Sequence, residues 1–266
     1  MQRMVSKKVD FPGCDDIQLS GLVSYPETDE PLKGWFLFAH CFTCHKNYKV
    51  IASISRVLNA QGFGVFRFDF GGLGESGGRF EDTNLSTNIE DLQCAARFMA
   101  AEFQAPDLLI GHSFGGSAVL SASRDLASVQ GVVTLATSFD PGRLQRLFTD
   151  VRDAMDAAPD EVFEVTVSGR KMPFKAQFLE DLAQHDLETS IRNLGKPLLI
   201  LHSPTDRTTP IENAERIFEA ASYPKSFLAL DGASHLLAEK DAANYAGRMI
   251  AAWGERCLER SSDRTA

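Results

Sequence analysis

The pentapeptide Gly111-His112-Ser113-Phe114-Gly115 carries the clearest chemical signal in this chain. It follows an apolar run at 107–110 and opens a small-residue run at 116–120. Strand, sharp turn and helix in that order match the Gly-x-Ser-x-Gly nucleophile elbow, in which a serine Oγ is held exposed on a strained turn. Glycines flank the serine because side chains there would collide with the neighbouring strand and helix. The helix that starts after the serine offers amides and a positive dipole end to an oxyanion. The pattern occurs a second time at Gly74-Glu75-Ser76-Gly77-Gly78. There it lies in a glycine-rich stretch, 71–78, with no helical pattern behind it, and Ser76 reads as a turn residue.

A serine hydroxyl is a poor nucleophile unless a base takes its proton and a third group orients that base. After an elbow the partners are expected in the order Ser, Asp or Glu, His, each just beyond a strand. Asp206 follows the apolar run 198–201, and His235 follows the run 227–230. Asp206 has a plainer reading as a cap for the helix after Pro210. Asp231 is the rival acid, read as fixing the turn before His235. His235 itself could be an ordinary loop histidine. Phe114 supplies one amide for an oxyanion, and the second is expected from the loop His40-Cys41-Phe42-Thr43-Cys44, through Phe42. His40 reads as a hydrogen-bonding loop stabiliser. Around the serine, His40, Cys41, His45, Phe139 and Phe178 are expected to line a pocket, although most of the 19 phenylalanines could simply pack the core.

Positioning these groups requires a particular set of elements. Strand-like runs fall at 4–11, 17–25, 34–40, 63–69, 107–111, 131–136, 197–202 and 226–230. Helical patterns fall at 48–60, from a capping box Thr87-Asn88-Ile89-Glu90, from Ser113, after Pro210 and at 240–258. Alternation from the third strand onward implies a mostly parallel sheet covered on both faces, an α/β architecture. The first two strands lack a helix between them and predict an edge hairpin turning at Gly13 and Asp15-Asp16. Residues 137–193 break the rhythm: a helical piece at 141–157, a hairpin at 161–174 around Ser168-Gly169, and a helical piece at 175–184. This insertion is expected to cap the site within a single domain, 1–266.

Composition narrows the classes. At 266 residues and 44% hydrophobic the chain can bury a large core. Its net charge of −9, without a basic tract, argues against nucleic acid as a partner. No apolar run reaches membrane-spanning length, and the first ten residues lack the apolar core of a signal peptide. Five cysteines, an odd number, point to reduced thiols in a cytoplasmic protein. Cys41 and Cys44 form a C-x-x-C pair. Zinc would need a second pair, which the chain lacks, so packing is the plainer role and a redox role the sharper one.

Four motifs taken together resemble one group: His40-Cys41-Phe42-Thr43-Cys44; Arg67-Phe68-Asp69-Phe70 with Gly71-Gly72-Leu73-Gly74-Glu75-Ser76; Gly111-His112-Ser113; and Leu201-His202-Ser203-Pro204-Thr205-Asp206. From about 9 to 258 the chain is similar to the α/β-hydrolase domain fused to an OsmC-like thiol-peroxidase domain in bacteria, and to related serine aminopeptidase-like hydrolases. The resemblance implies an α/β-hydrolase fold, with an eight-stranded mostly parallel sheet flanked by helices and a small inserted cap. It implies that the loop at 40–44 is that fold's His-Gly-x oxyanion motif, with Cys41 in place of glycine. It further implies an esterase-type serine hydrolase on small-molecule esters and an OsmC-like partner acting nearby, and the chain departs from the fused pattern in stopping where such a domain would start. The Ser-His-Asp chemistry itself is expected to need no metal or cofactor. The residues are expected to favour short to medium acyl groups. A thioesterase or an aminopeptidase would use the same three residues. The aminopeptidase would also need an acidic group in the cap, from Glu161, Glu164, Glu180 or Asp181. A non-hydrolytic ligand-binding protein with an idle triad, or a redox-coupled partner of an OsmC-like peroxidase, is the reading of a different class.

Overall fold

The computed structural model describes residues 3–14, 17–167 and 169–265, with backbone alone at 240 and 261–265. Its strands are β1 (Met4–Pro12), β2 (Gln18–Pro26), β3 (Trp35–Ala39), β4 (Gly64–Phe68), β5 (Leu108–His112), β6 (Gly131–Leu135), β7 (Phe163–Val167), β8 (Arg170–Phe174), β9 (Leu198–His202) and β10 (Lys225–Ala229). Its α-helices are α1 (Lys49–Ala60), α2 (Leu85–Glu102), α3 (Phe114–Ala122), α4 (Arg152–Ala157), α5 (Gln177–Gln184), α6 (Leu187–Arg192), α7 (Glu212–Ala220) and α8 (Lys240–Thr265).

Strands β3, β5, β6 and β9 are buried at all five positions, as strands covered by helices on both faces must be. Eight strands form one sheet in the order β1-β2-β4-β3-β5-β6-β9-β10. β2 runs antiparallel to β1 and β4, and the remaining neighbours pair in parallel. This is the α/β-hydrolase architecture, with β1 and β2 as the expected edge hairpin. The hairpin's expected turn residues Asp15 and Asp16 lie outside the described residues, as does Ser168 at the tip of the β7–β8 hairpin.

Helices α1 and α8 cover one face. Ile51, Ile54 and Leu58 recur at helical spacing and are fully buried against Phe36, Phe38 and Val65. Each such side chain stabilises the fold by about 2 kcal/mol relative to exposure. Helix α2 covers the other face, where Leu92, Ala95 and Met99 join a cluster with Leu37, Phe66 and Phe68. The chain order reverses at β3, with β4 on one side and β5 on the other. Such a reversal leaves a crevice at the carboxyl ends of the strands, the usual ligand position in sheets of this kind.

Three expectations are corrected. Helix α2 is capped by Asn84: its side chain accepts the Thr87 amide, and the Thr87 hydroxyl accepts the Asn84 amide, both at 2.9 Å. Thr87 is therefore the third helical residue rather than the cap, because Asn84 takes the extended backbone that a cap needs. The helical piece at 141–157 divides into a 3₁₀ stretch, Pro141–Phe148, and α4, with Asp140 accepting the Gly142 amide at 2.9 Å to start the first. Helix α8 runs on to Thr265 instead of stopping at 258. The segment 137–193 is tied to the core by Asp181 of α5, which accepts the Leu85 and Ser86 amides at 2.9 and 3.2 Å at the positive end of α2. No helix among the described residues is long and apolar enough to cross a membrane.

Candidate active site

Ser113 sits between β5 and α3 at φ 54° and ψ −117°, a region that costs a residue with a side chain about 1–3 kcal/mol. Two hydrogen bonds hold it there. Its amide donates to Leu135 of β6 at 2.8 Å, and its carbonyl accepts the Gly116 amide at 2.9 Å. A Cβ on Gly115 would fall onto the carbonyls of Ala39 and His40. Glycine there lets the start of α3 seat against the end of β3, which brings the 40–46 loop beside the serine.

Asp206 follows β9 and His235 follows β10, each on a short loop. His235 Nε2 lies 3.0 Å from Ser113 Oγ, and its Nδ1 lies 2.8 Å from Asp206 Oδ2. The other Asp206 oxygen accepts the Thr208 and Thr209 amides at 2.8 and 2.9 Å. Burial disfavours the charged carboxylate, but the hydrogen bonds from His235, Thr209 and Thr208 outweigh it and hold the Asp206 carboxyl below its ordinary range. Asp206 thus orders its own loop and meets the histidine with different oxygens. Asp231 is exposed and makes no hydrogen bond among the described residues.

His112, the variable residue of the elbow, carries no signal of its role in its sequence position. Its Nε2 donates to the His235 carbonyl at 2.9 Å and fixes the backbone of the histidine that faces Ser113. Burial pushes the His112 imidazole down to about 4, so it stays neutral at pH 7. Ser76, in the second Gly-x-Ser-x-Gly, donates to the Asp69 carbonyl at 2.6 Å and accepts the Ser20 amide at 2.9 Å.

The 40–46 loop is held at both ends. His40 is fully buried; Nδ1 donates to the Cys41 carbonyl at 2.8 Å and Nε2 accepts the Phe70 amide at 3.2 Å. Burial lowers this imidazole to about 4. At the other end Lys46 is 1% exposed. Its ammonium donates to Asp69 and Glu75 at 2.6 Å and to Ser20 at 3.1 Å, while its amide donates to the second Asp69 oxygen at 2.5 Å. Hydrogen bonds from Lys46 and Lys8 hold the Glu75 carboxyl down at about 2. A lone lysine in a polar loop gives no burial signal in sequence, which is why this hub escapes a reading of the chain.

Cys41 and Cys44 form a disulfide, with Cα atoms 5.3 Å apart, where reduced, packing thiols were expected. The tight turn, closed by the Cys44 amide donating to the Cys41 carbonyl at 3.1 Å, brings the two within bridging range. On chain-entropy grounds a ring this short stabilises the fold by only about 2 kcal/mol. The Phe42 amide makes no hydrogen bond among the described residues. Phe114 heads α3, whose first amides have no acceptor within the helix.

The Phe42 ring packs with Phe114, Phe178 and Phe174 at centroid distances of 5.1, 5.5 and 5.9 Å. These rings leave a cavity of only about 10 Å³, bordered by His40, Cys41, Phe42, Phe70, Phe114 and Phe178. His45 stands outside it, exposed and edge-on to Tyr48. Phe139 lies under the Arg216 guanidinium at 4.0 Å, with its amide on Asn213. A groove of about 840 Å³ lies at the opposite end of the sheet, bordered by Arg124, Lys196, Pro197 and Arg256, and no group of the Ser113 cluster borders it.

Residues 30–164 match the family described as Serine aminopeptidase, S33. The chain belongs to that family, and so to the α/β-hydrolase superfamily. The hydrolase is similar over 95% of its length to the esterase domain of a Rhodothermus marinus protein, at 37% identity, TM-score 0.76 and 98% coverage of that structure. It shares the fold of Est1E from Butyrivibrio proteoclasticus, solved with ferulic acid, at 21% identity and TM-score 0.71 over 90% of this chain and 96% of that one. Protein ABHD12B of Homo sapiens is 26% identical over 186 residues, covering 70% of the hydrolase. The match spans about half of that relative's length, 49%.

Proposed function

We propose that this hydrolase cleaves carboxylic esters of small to medium acyl groups through Ser113, His235 and Asp206. The supporting observation is the single imidazole that reaches the serine with one nitrogen and the carboxylate with the other. Ser113 Oγ attacks the acyl carbon as His235 Nε2 takes its proton. The oxyanion accepts the Phe42 and Phe114 amides. His235 then gives the proton to the departing alkoxide, leaving an acyl-serine and a free alcohol. Water attacks the acyl-serine, His235 takes the water's proton and returns it to Oγ, and the carboxylic acid leaves. Asp206 keeps the Nδ1–H tautomer and stabilises the imidazolium. The insertion at 137–193 acts as the cap, and its Phe148, Phe174 and Phe178 crowd the acyl side, which favours short chains.

An aminopeptidase would need a free carboxylate facing the serine. Asp181 is occupied by Leu85, Ser86 and His185, and Glu164 pairs with Lys171 at 2.8 Å. Glu161 and Glu180 are exposed. These positions favour the ester reading. The test is turnover of p-nitrophenyl esters from acetate to palmitate, beside amino-acid p-nitroanilides, by the wild type and Ser113→Ala. The expected result is ester turnover, greatest for short to medium acyl groups and lost in Ser113→Ala. Anilide turnover without ester turnover would replace this reading with the peptidase one.

A further inference from the structure

The Cys41–Cys44 bridge encloses Phe42 and Thr43, so it closes a ring around the amide proposed to hold the oxyanion. We propose that this bridge is a reducible control site: a dithiol opens it, the Phe42 amide leaves its place beside Ser113, and ester turnover falls. The proposal rests on the ester-hydrolase reading above.

Three features carry it. The first is that the ring holds an unfavourable backbone. Thr43 sits at φ 59°, a region that β-branched residues avoid. Apart from the ring, Thr43 has one polar tether among the described residues, Arg170 to its carbonyl at 3.5 Å. An open ring lets Thr43 relax, and Phe42 moves with it. The second is that the loop is anchored on both sides without the bridge. His40 is tied to Phe70, and Lys46 to Asp69, Glu75 and Ser20. Reduction therefore leaves 41–45 to non-covalent contacts, chiefly the Cys44 amide on the Cys41 carbonyl and the Phe42 ring against Phe114 and Phe178, with the sheet intact, which makes the bridge a local control rather than a staple of the fold.

The third feature is access. Cys41 is 4% exposed, whereas Cys44 is half-buried. A thiolate of the dithiol attacks Cys44 Sγ, the S–S bond breaks, and Cys41 leaves as a thiolate that takes up a proton. The second thiol of the reductant attacks the mixed disulfide at its own sulfur and departs as a cyclic disulfide, releasing Cys44, which is protonated in turn. The protein gains two electrons and two protons, and the dithiol loses them. Oxidised glutathione reverses the change by the same exchange.

The experiment uses the full chain carrying Cys14→Ala, because Cys14 and Cys94 lie with sulfurs 3.2 Å apart and could otherwise form a second bridge. Turnover of p-nitrophenyl butyrate is measured after oxidised glutathione and after dithiothreitol, with Ser113 labelling by a fluorophosphonate in the oxidised protein. On reduction kcat is expected to fall on the order of a hundredfold, as for loss of one oxyanion donor, with KM changed far less and kcat restored on reoxidation. Cys41→Ala/Cys44→Ala in the same background should show the low kcat with or without dithiothreitol. Equal kcat in the oxidised and reduced protein, with Ser113 labelled, overturns the control site and leaves the ester reading standing. Free thiols at both positions after oxidised glutathione overturn it as well. Failure of Ser113 to label, with ester turnover equal in Ser113→Ala, overturns the ester reading itself.

Discussion

At Ser76 the hydroxyl is spent, since it donates to the Asp69 carbonyl and accepts the Ser20 amide. At Ser113 the hydroxyl meets His235 Nε2 at 3.0 Å. Both serines stand in a Gly-x-Ser-x-Gly sequence, and the difference lies in what surrounds the five residues. Ser113 leaves a strand buried at every position and enters a helix, so its backbone is pinned at a positive φ and its side chain points off the sheet's end. Ser76 lies in a loop whose glycines let it fold back onto β2, where the nearest groups are backbone amides and carbonyls. A pattern of five letters acquires chemistry only when the elements on each side deny its hydroxyl the ordinary partners.

The sharpest way to break this comparison is to remove each hydroxyl in turn. Ser113→Ala should lower kcat for a p-nitrophenyl ester on the order of a millionfold. Asp206→Asn should cost about ten-thousandfold in kcat, because the imidazole then loses its Nδ1–H tautomer. A loss below tenfold would show that the carboxylate serves the 206–209 turn alone.

Acid separates the region around Ser113 from ordinary surface. His40 and His112 are held neutral down to about 4 by burial, while the unfolded chain protonates both near 6.5. The unfolded state therefore binds more protons between these values. Stability should fall as pH drops from about 6.5 to about 4 and then level off for these two groups, by on the order of 3 kcal/mol each. Urea midpoints across that range, for wild type and His112→Asn, would check this, since the variant should show the shallower slope. Ser76→Ala is the smallest effect. It should cost about 1–2 kcal/mol in a urea titration, with ester kcat within about threefold of wild type. A large loss of turnover there would erase the contrast between the two serines.

Much of this arrangement is legible in the chain because burial on both faces writes continuous apolar runs at β3, β5, β6 and β9, while the edge strands β1 and β10 are more exposed and read from shorter apolar runs. Ser113, Asp206 and His235 each lie just past a strand-like run, and in space they meet. Other features depend on partners far away in sequence. Lys46 reads as one more polar residue until Asp69 and Glu75 close on it. The bridge between Cys41 and Cys44 is invisible in an odd cysteine count, because it depends on the local turn. Asn84 yields its cap to Thr87 in a reading of the sequence because both are good caps, and only the backbone of Asn84 decides between them.

The lysine hub also sets how the 40–46 loop meets salt. Its outer link, Lys8 to Glu75 at 2.9 Å, is half exposed on both sides, whereas Lys46 and Asp69 are each 1% exposed. At 1 M salt charges are screened beyond about 3 Å of water, yet counter-ions cannot enter where no water does. Brine therefore strips the hub from the outside and stops at Lys46, leaving the segment that carries Phe42 on the same footing in dilute buffer and in a salt lake.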